Sequence, residues 1–392
     1  MTVNVPPCVV PPCAEPSQRC APRCAPAPGT RRAPYPNAAP APPQPPPRRR
    51  SRPRAHRRAH RRTRRRAGLL LAVTALVLLV AALSLLVGSN PIPPGTVWHL
   101  LGHPDGGLLS TVIHGQRVPR ALLALAVGAA LGVAGALMQS LTRNPLAEPG
   151  VLGINAGASL AVVLAVAITG VSSIWFSLWC AFFGAAAASV AVYVLGSVGR
   201  RGATPVRLAL AGVALSMAIS SIVQTIILAN QNVFNEFRFW AAGSMEGRGF
   251  PVLCAVVVFI LVGLGLAVAL APALNALALG EETARALGVR VGLTRGLVML
   301  AVTLLAGAAT AAVGPLSFVG LGVPYAARAL CGPDQRWVLP FSLVLGPVFL
   351  LVADLLARVV VAPQEVQVGI ITAVMGGPLL VMIVRRRRIE SL

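Results

Sequence analysis

The sequence predicts an all-α, polytopic membrane protein with about ten transmembrane helices and with both termini in the cytoplasm. Hydrophobic residues make up 56% of the 392 residues and charged residues only 11%, far below the roughly 25% charged residues of a soluble domain. Apolar stretches long enough to cross a bilayer, which takes about 20 helical residues, recur along the chain after residue 66. Runs of arginine flank the first and the last of these stretches.

The apolar stretches give the expected spans in chain order. We expect them near residues 67–88, 121–141, 151–170, 175–196, 207–229, 251–271, 293–313, 315–331, 338–361 and 367–384. The pair that flanks Gly314-Pro315 has two interpretations, because this dipeptide fits either a tight outer turn or a break inside one longer, kinked helix.

The second span carries a face of small residues. Gly128, Gly132 and Ala136 repeat every four residues, so they lie on one side of a helix. Membrane helices approach each other closely through such faces. We therefore expect the second span to pack inside a bundle and not to stand alone as an anchor.

Arginines set the predicted orientation. Loops rich in Lys or Arg stay cytoplasmic, and arginine runs lie within residues 48–66 and 385–388. Few arginines are then left for the outer face: Arg117, Arg120, Arg238, Arg248 and Arg358. They either pair locally or snorkel at the lipid headgroups, or they form an exposed docking surface for an acidic external partner.

An acid in the ninth span also has an expected partner. Asp354 and Arg358 stand four residues apart, so they can pair on one helix face. Since no chain of acids or histidines continues through the spans, a structural role is favoured over proton transfer.

Residues 1–66 differ in composition from the expected membrane domain, residues 67–388. They are rich in Pro, Ala and Arg without an apolar period, so we expect a disordered cytoplasmic tail. The spacings of its four cysteines miss the C-x2-C pair of a zinc site, and no metal site is expected on the chain. The net charge of +23 gathers beside the spans, which favours membrane lipid over nucleic acid as its partner.

The chain contains no lysine. Because a Walker A loop requires one, any ATP-driven work must use a nucleotide site on another polypeptide.

A polar interruption at residues 272–292 separates two spans on the expected cytoplasmic side, and we interpret it as short helices. Its apolar residues Leu279, Ala284 and Leu287 can cluster on one side. Glu281 and Glu282 suit a helix start, and Gly288 suits a helix end. The segment can thus present a knob to a cleft on a partner. The alternative is an ordinary amphipathic loop lying on lipid.

A polar stripe marks the fifth span. Ser216, Ser220 and Gln224 repeat at every fourth residue, so they share one face. They line a pathway through the bundle or, alternatively, pack helices together as small hydroxyl residues do.

Several spaced blocks of this sequence resemble the FecCD-type permeases, the membrane subunits of type II ABC importers for iron-siderophores, haem and vitamin B12. The resemblance covers about residues 68–388. The blocks are Arg117-Val118-Pro119-Arg120, Arg143-Asn144-Pro145-Leu146-Ala147, Leu279-Gly280-Glu281-Glu282, Gly314–Arg328 and Ala353–Gly369.

The resemblance implies a set of partners. The chain is expected to be a permease subunit and not an enzyme, and to form a homodimer or heterodimer with a second permease subunit. Two cytoplasmic ABC ATPase subunits would bind ATP and Mg, and an extracytoplasmic substrate-binding protein would deliver the cargo.

The resemblance also implies roles for particular residues. Docking of the binding protein falls to Arg117, Arg120 and Arg358. The cytoplasmic gate falls to Asn144 and Leu146, for which the alternative is a simple interhelical turn. Coupling to the ATPase falls to the following residues: Leu279, Gly280, Glu281, Glu282, Ala284, Leu287 and Gly288.

The expected function is import of a ferric siderophore across the bacterial cell membrane by alternating access. Haem and vitamin B12 are the alternative cargoes within the same family. An ion-coupled secondary transporter is the alternative of a different class. It would require intramembrane acids or paired broken helices at midplane, whereas this sequence shows a polar cytoplasmic knob and outer arginines.

Overall fold

The computed structural model describes residues 53–89, 92–171, 173–198 and 204–385, whose regular elements are helical. The helices are α1 (Pro53–Leu86), α2 (Pro94–Gly102), α3 (Leu108–Val112), α4 (Val118–Thr142), α5 (Ile154–Thr169), α6 (Ile174–Ser197), α7 (Pro205–Ala229), α8 (Gln231–Ala241), α9 (Phe250–Ala278), α10 (Glu281–Ala286), α11 (Val291–Val313), α12 (Val319–Cys331), α13 (Gln335–Val359) and α14 (Val368–Arg385). A π-helical turn, Ile113–Arg117, joins α3 to α4, and a 3-10 turn, Pro149–Leu152, precedes α5.

The all-α membrane fold is confirmed, and each predicted span corresponds to a helix. Within the described ranges, seven helices are long and apolar enough to cross a bilayer: Thr63–Leu86, Leu108–Thr142, Ile174–Ser197, Pro205–Ala229, Phe250–Ala278, Val291–Val313 and Gln335–Val359. Three predicted spans are shorter apolar helices: Ile154–Thr169, Val319–Cys331 and Val368–Met382. The cytoplasmic location of the termini stays a prediction.

Gly314 and Pro315 separate two helices, as the first of the two interpretations requires. α11 ends at Val313, and α12 begins at Val319. Gly314 has a φ of +82°, a value that favours glycine, and a Cβ there would overlap the carbonyl of Trp240. The break therefore depends on the absence of a side chain at this position.

The first helix begins earlier than expected. α1 starts at Pro53, so the prediction of disorder is wrong for residues 53–66. No proline follows until after Leu86, and alanine and arginine are strong helix formers, so the helix of the apolar span continues through the basic segment. Residues 1–52, with the four cysteines of the tail, lie outside the described residues.

α4 is the central helix of the bundle. It packs against α9, α11, α12 and α13, and its small residues allow backbones to approach closely. A Cβ added to Gly128 would lie 2.7 Å from the backbone of Gly346 in α13, and one added to Gly135 would overlap the carbonyl of Gly320 in α12. The predicted packing face of the second span is confirmed, and Gly135 adds a second close approach.

We expect Gly135→Ala to lower the thermal stability of the purified full-length protein in detergent. The added methyl group meets backbone atoms of α12, which cannot move aside as a flexible side chain would, and overpacking of this kind costs about 1–3 kcal/mol. Gly265→Ala in α9 is the matched control, because nothing lies within 4 Å of the added Cβ. Equal melting temperatures for the two variants would contradict the close contact.

Candidate functional site

Charged side chains converge where α1 ends, α4 begins and α13 ends. The group, named here the arginine network, consists of Arg117, Arg120, Asp354, Arg358 and Glu365. The first two stand at the start of α4 and the next two in the last turns of α13. Glu365 lies in the loop after α13, and this loop is held to the helix by the bond from Val366 N to Ala357 O.

Arg120 binds two carboxylates with its guanidinium. Its Nε and Nη2 donate to Asp354 Oδ1 at 2.9 and 2.8 Å, and its Nη1 donates to Glu365 Oε2 at 2.6 Å. Ser89 Oγ donates to the other oxygen of Glu365 at 2.9 Å. Each guanidinium nitrogen of Arg120 is thus occupied by an acid of the same chain.

Arg358 joins the last turns of α13 to the end of α1. Its Nη2 donates to Asp354 Oδ2, and its Nη1 donates to the carbonyl of Ser84 at 2.9 Å. The predicted pairing of Asp354 with Arg358 is confirmed. Arg117 Nη1 also donates to a carbonyl at the end of α1, that of Leu85, at 2.8 Å. Both cations thus bind carbonyl oxygens that a helix C-terminus leaves unpaired.

Three members of the network are buried, and Arg120 and Glu365 are partly buried. Arg117 is 6% exposed, Arg358 is 2% exposed and Asp354 is fully buried. Of the two interpretations of the outer arginines, local pairing holds for Arg117, Arg120 and Arg358, because acids and helix-end carbonyls of the same chain bind them. A role in docking stays a prediction. The sequence analysis did not identify Glu365 as a partner. Because Glu365 lies far from Arg120 in the sequence, no local pattern indicates that the two residues pair.

The ionisation of Glu365 follows from its two environments. Partial burial raises its pKa, but the Arg120 guanidinium, with its hydrogen bond, and the hydroxyl of Ser89 lower it further than burial raises it. The net effect places the pKa of Glu365 below its ordinary value, so the side chain is ionised at neutral pH. The ion pair with Arg120 therefore persists until the pH falls below the pKa of an ordinary glutamate.

The predicted gate residues lie at the other end of α4, in a turn with local hydrogen bonds. Arg143 ends the helix with a φ of 49°, and its side chain donates to the carbonyl of Leu277 in α9. Asn144 Oδ1 accepts the N–H of Leu146 at 2.9 Å, and both residues are exposed. The side chain of Asn144 thus stabilises the turn, which supports the simple-turn alternative. The gating role stays a prediction.

The predicted coupling segment lies beside this turn. α9 ends at Ala278, Gly280 has a φ of +116°, and α10 begins at Glu281. Glu281 pairs with Arg295 of α11 and thereby fixes α10 against the bundle. The start at Glu281 and Glu282 and the left-handed Gly288 are as predicted.

The expected apolar cluster of this segment is wrong. Ala284 is fully buried, whereas Leu279 is 68% exposed and Leu287 is 63% exposed. α10 is too short for sequence periodicity to define a face, and the turn at Gly280 changes the direction of the chain. The two leucines therefore project away from the bundle, and the alanine packs into it.

The polar stripe of α7 faces a cavity of about 550 Å³. Ser216 and Ser220 line it together with Glu148 and Asn155 from the segment around the 3-10 turn. Gln224 is exposed and lies outside this lining. The structure thus brings two of the three stripe residues to one cavity, and it adds a carboxylate that the sequence analysis did not single out.

Comparison with known proteins finds a matching family and several similar permease proteins. The FecCD transport family matches residues 76–386. The chain is 46% identical over 312 residues to the ferric enterobactin transport system permease protein FepD of Escherichia coli, which covers 80% of this chain and 93% of that protein. It is 42% identical over 284 residues to the Fe(3+)-citrate import system permease protein YfmD of Bacillus subtilis, which covers 72% of this chain and 84% of that protein.

A third relative and a solved structure extend the comparison. The chain is 39% identical over 321 residues to the iron(3+)-hydroxamate import system permease protein FhuB of Bacillus subtilis, with 81% of this chain and 83% of that protein covered. Its fold is similar to that of a metal-chelate type ABC transporter in an inward-facing conformation, with a TM-score of 0.71 and 27% identity over 81% of this chain and 99% of that chain. Because the family match spans most of the sequence, the chain belongs to the FecCD transport family.

Proposed function

We propose that the chain is the permease subunit of an ATP-driven, binding-protein-dependent importer and that its cargo is a ferric siderophore. The observation that carries the proposal is the similarity, over 72–81% of this chain, to three permease proteins whose systems handle iron chelates. The cavity beside α7, whose lining includes Ser216, Ser220 and Glu148, is the surface that we assign to the cargo during alternating access.

In this proposal, the ATP that drives import is hydrolysed by partner subunits. The chain has no lysine for a Walker A loop, so ATP and Mg bind to two cytoplasmic ABC ATPase subunits. Leu279 and Leu287 are the contact points that we assign to them, because both are exposed beside a helix that Glu281 fixes to the bundle. Exposed leucines on a rigid polar segment suit the apolar core of an interface.

A second permease subunit completes the pathway. α7 leaves apolar residues such as Leu210 and Met217 exposed beside the polar residues Ser216 and Ser220. Lipid would suit the apolar residues but would leave the polar cavity wall without hydrogen-bond partners. A facing subunit, identical or different, can cover both.

Uptake by a strain that lacks the native permease tests the function. We expect expression of this chain, together with its binding protein and ATPase, to restore accumulation of iron supplied as a ferric siderophore. Haem and cobalamin serve as alternative cargoes in parallel cultures. Accumulation of either of these without siderophore uptake would reject the proposed cargo. Uptake that continues with a hydrolysis-deficient ATPase would reject the ATP-driven class.

We expect the double substitution Leu279→Ala and Leu287→Ala to reduce ATPase-dependent uptake by about tenfold or more. Truncation of a side chain that anchors the centre of an interface costs above about 1 kcal/mol, and we assign this anchoring role to both leucines, whereas exposed leucines contribute little to folding. Leu261→Ala in α9 is the matched control, because Leu261 is equally exposed but lies within a span. Normal uptake and normal ATPase copurification by the double variant would remove the coupling assignment.

We expect Glu365→Gln to strengthen docking of the binding protein several-fold if Arg120 receives an acidic side chain. Glu365 occupies Nη1 of Arg120, so an incoming carboxylate must displace it, and a neutral glutamine competes less well. Asp105→Asn controls for the loss of one negative charge, because Asp105 is exposed before α3 and outside the network. The measurement is the affinity of the binding protein for the importer in nanodiscs. An affinity that is unchanged or weaker for Glu365→Gln would exclude Arg120 as a docking residue.

A further inference from the structure

A second cavity, of about 300 Å³, lies between α5, α6 and α8. The segment between α8 and α9 closes one side, and Gln367, two residues beyond Glu365, closes another. The cavity lining thus includes a residue of the loop that carries Glu365 and no residue of α10. Its walls are apolar where Val162, Val166, Ile174 and Phe239 contribute.

Two N–H groups at this cavity lack acceptors within the described part of the chain. Nε of Arg248 and Nε1 of Trp240 are buried without a hydrogen-bond partner, and both residues line the cavity. Trp240 is only 8% exposed, so water has little access to its N–H as a hydrogen-bond acceptor. Buried donors are nearly always paired, and their convergence on one cavity indicates an acceptor that binds there.

The charges of the cavity are also unpaired. Arg248 lines it together with Glu236 and Glu246, yet none of the three forms an ion pair with any described residue. The opposite charges thus lie too far apart to pair directly. Burial lowers the pKa of Arg248, but a guanidinium remains charged at neutral pH. A ligand with its own separated positive and negative groups can bridge the space between them.

The surroundings of the cavity resemble a membrane interface. Trp175 and Phe176 at the start of α6 and Phe239 of α8 are exposed, and aromatic side chains gather at the level of the lipid headgroups. Apolar walls beside these rings can receive the glycerol and the first acyl carbons of a phospholipid. The chemistry and the position of the cavity thus suit the same kind of ligand.

We propose that this cavity binds the headgroup of a phospholipid that carries a primary ammonium, with phosphatidylethanolamine as its ligand. The phosphate accepts the N–H groups of Arg248 and Trp240. The ammonium donates to Glu236 or Glu246. Phosphatidylcholine presents the same charges but has no ammonium N–H to donate, and phosphatidylglycerol has a phosphate without a cation.

Thermal unfolding of the delipidated full-length protein with added lipid tests this site. We expect phosphatidylethanolamine to raise the melting temperature by several degrees more than phosphatidylcholine or phosphatidylglycerol. Arg248→Gln should abolish this difference, and the double substitution Glu236→Gln and Glu246→Gln should reduce phosphatidylethanolamine to the level of phosphatidylcholine. Because lipids are compared within each variant, a change in intrinsic stability does not obscure the result.

Arg290→Gln is the matched control, because this exposed arginine lies beside α11 and outside the cavity. It should retain the full preference for phosphatidylethanolamine. Equal stabilisation of the wild-type protein by phosphatidylglycerol would overturn the role of the ammonium. A preference that survives in Arg248→Gln would overturn the site itself.

Discussion

The buried carboxylate of Asp354 is the charge on which one end of the bundle depends. It accepts from Arg120 of α4 and from Arg358 of its own helix, and Arg358 continues to a carbonyl at the end of α1. A buried carboxylate costs several kcal/mol unless it is paired. The fold therefore requires guanidinium partners for Asp354. Loss of Arg120 would leave Glu365 without its guanidinium, and loss of Arg358 would leave Arg120 to neutralise both Asp354 and Glu365. The ion-paired acid therefore links the start of α4 and the end of α13, and through Arg358 it also reaches the end of α1.

α4 connects this network with the opposite end of the molecule. Its 25 residues extend about 37 Å at 1.5 Å per residue. Close backbone contacts at Gly128 and Gly135 clamp it between α13 and α12, and interiors packed at this density transmit displacement and do not absorb it. Arg120 at one end and the turn after Thr142 at the other thus belong to one rigid element.

The spans were predictable because a bilayer imposes a minimum apolar length on each of them, and Asp354 with Arg358 was predictable because helical periodicity places them together. The pairing of Arg120 with Glu365 was not, since residues 245 positions apart meet only through the packing of whole helices. The same limit applies to the exposure of the outer arginines. An arginine near a helix start has the same local sequence whether it faces solvent or a neighbouring helix, and only the three-dimensional structure supplies the acids that bury it.

The surfaces left uncovered on the bundle differ in what can cover them. Most exposed apolar residues lie along spans, where lipid suffices. Leu279 and Leu287 do not, because they flank a polar helix that carries Glu282 and Arg285, and charged groups of this density stay out of the hydrocarbon core. Exposed apolar side chains in such a polar setting favour a protein partner over lipid. The serines of α7 lead to the same conclusion from the opposite chemistry, since a polar wall cannot face lipid without loss of its hydrogen bonds. Both surfaces thus support the proposed partners, an ATPase subunit beside α10 and a second permease subunit beside α7.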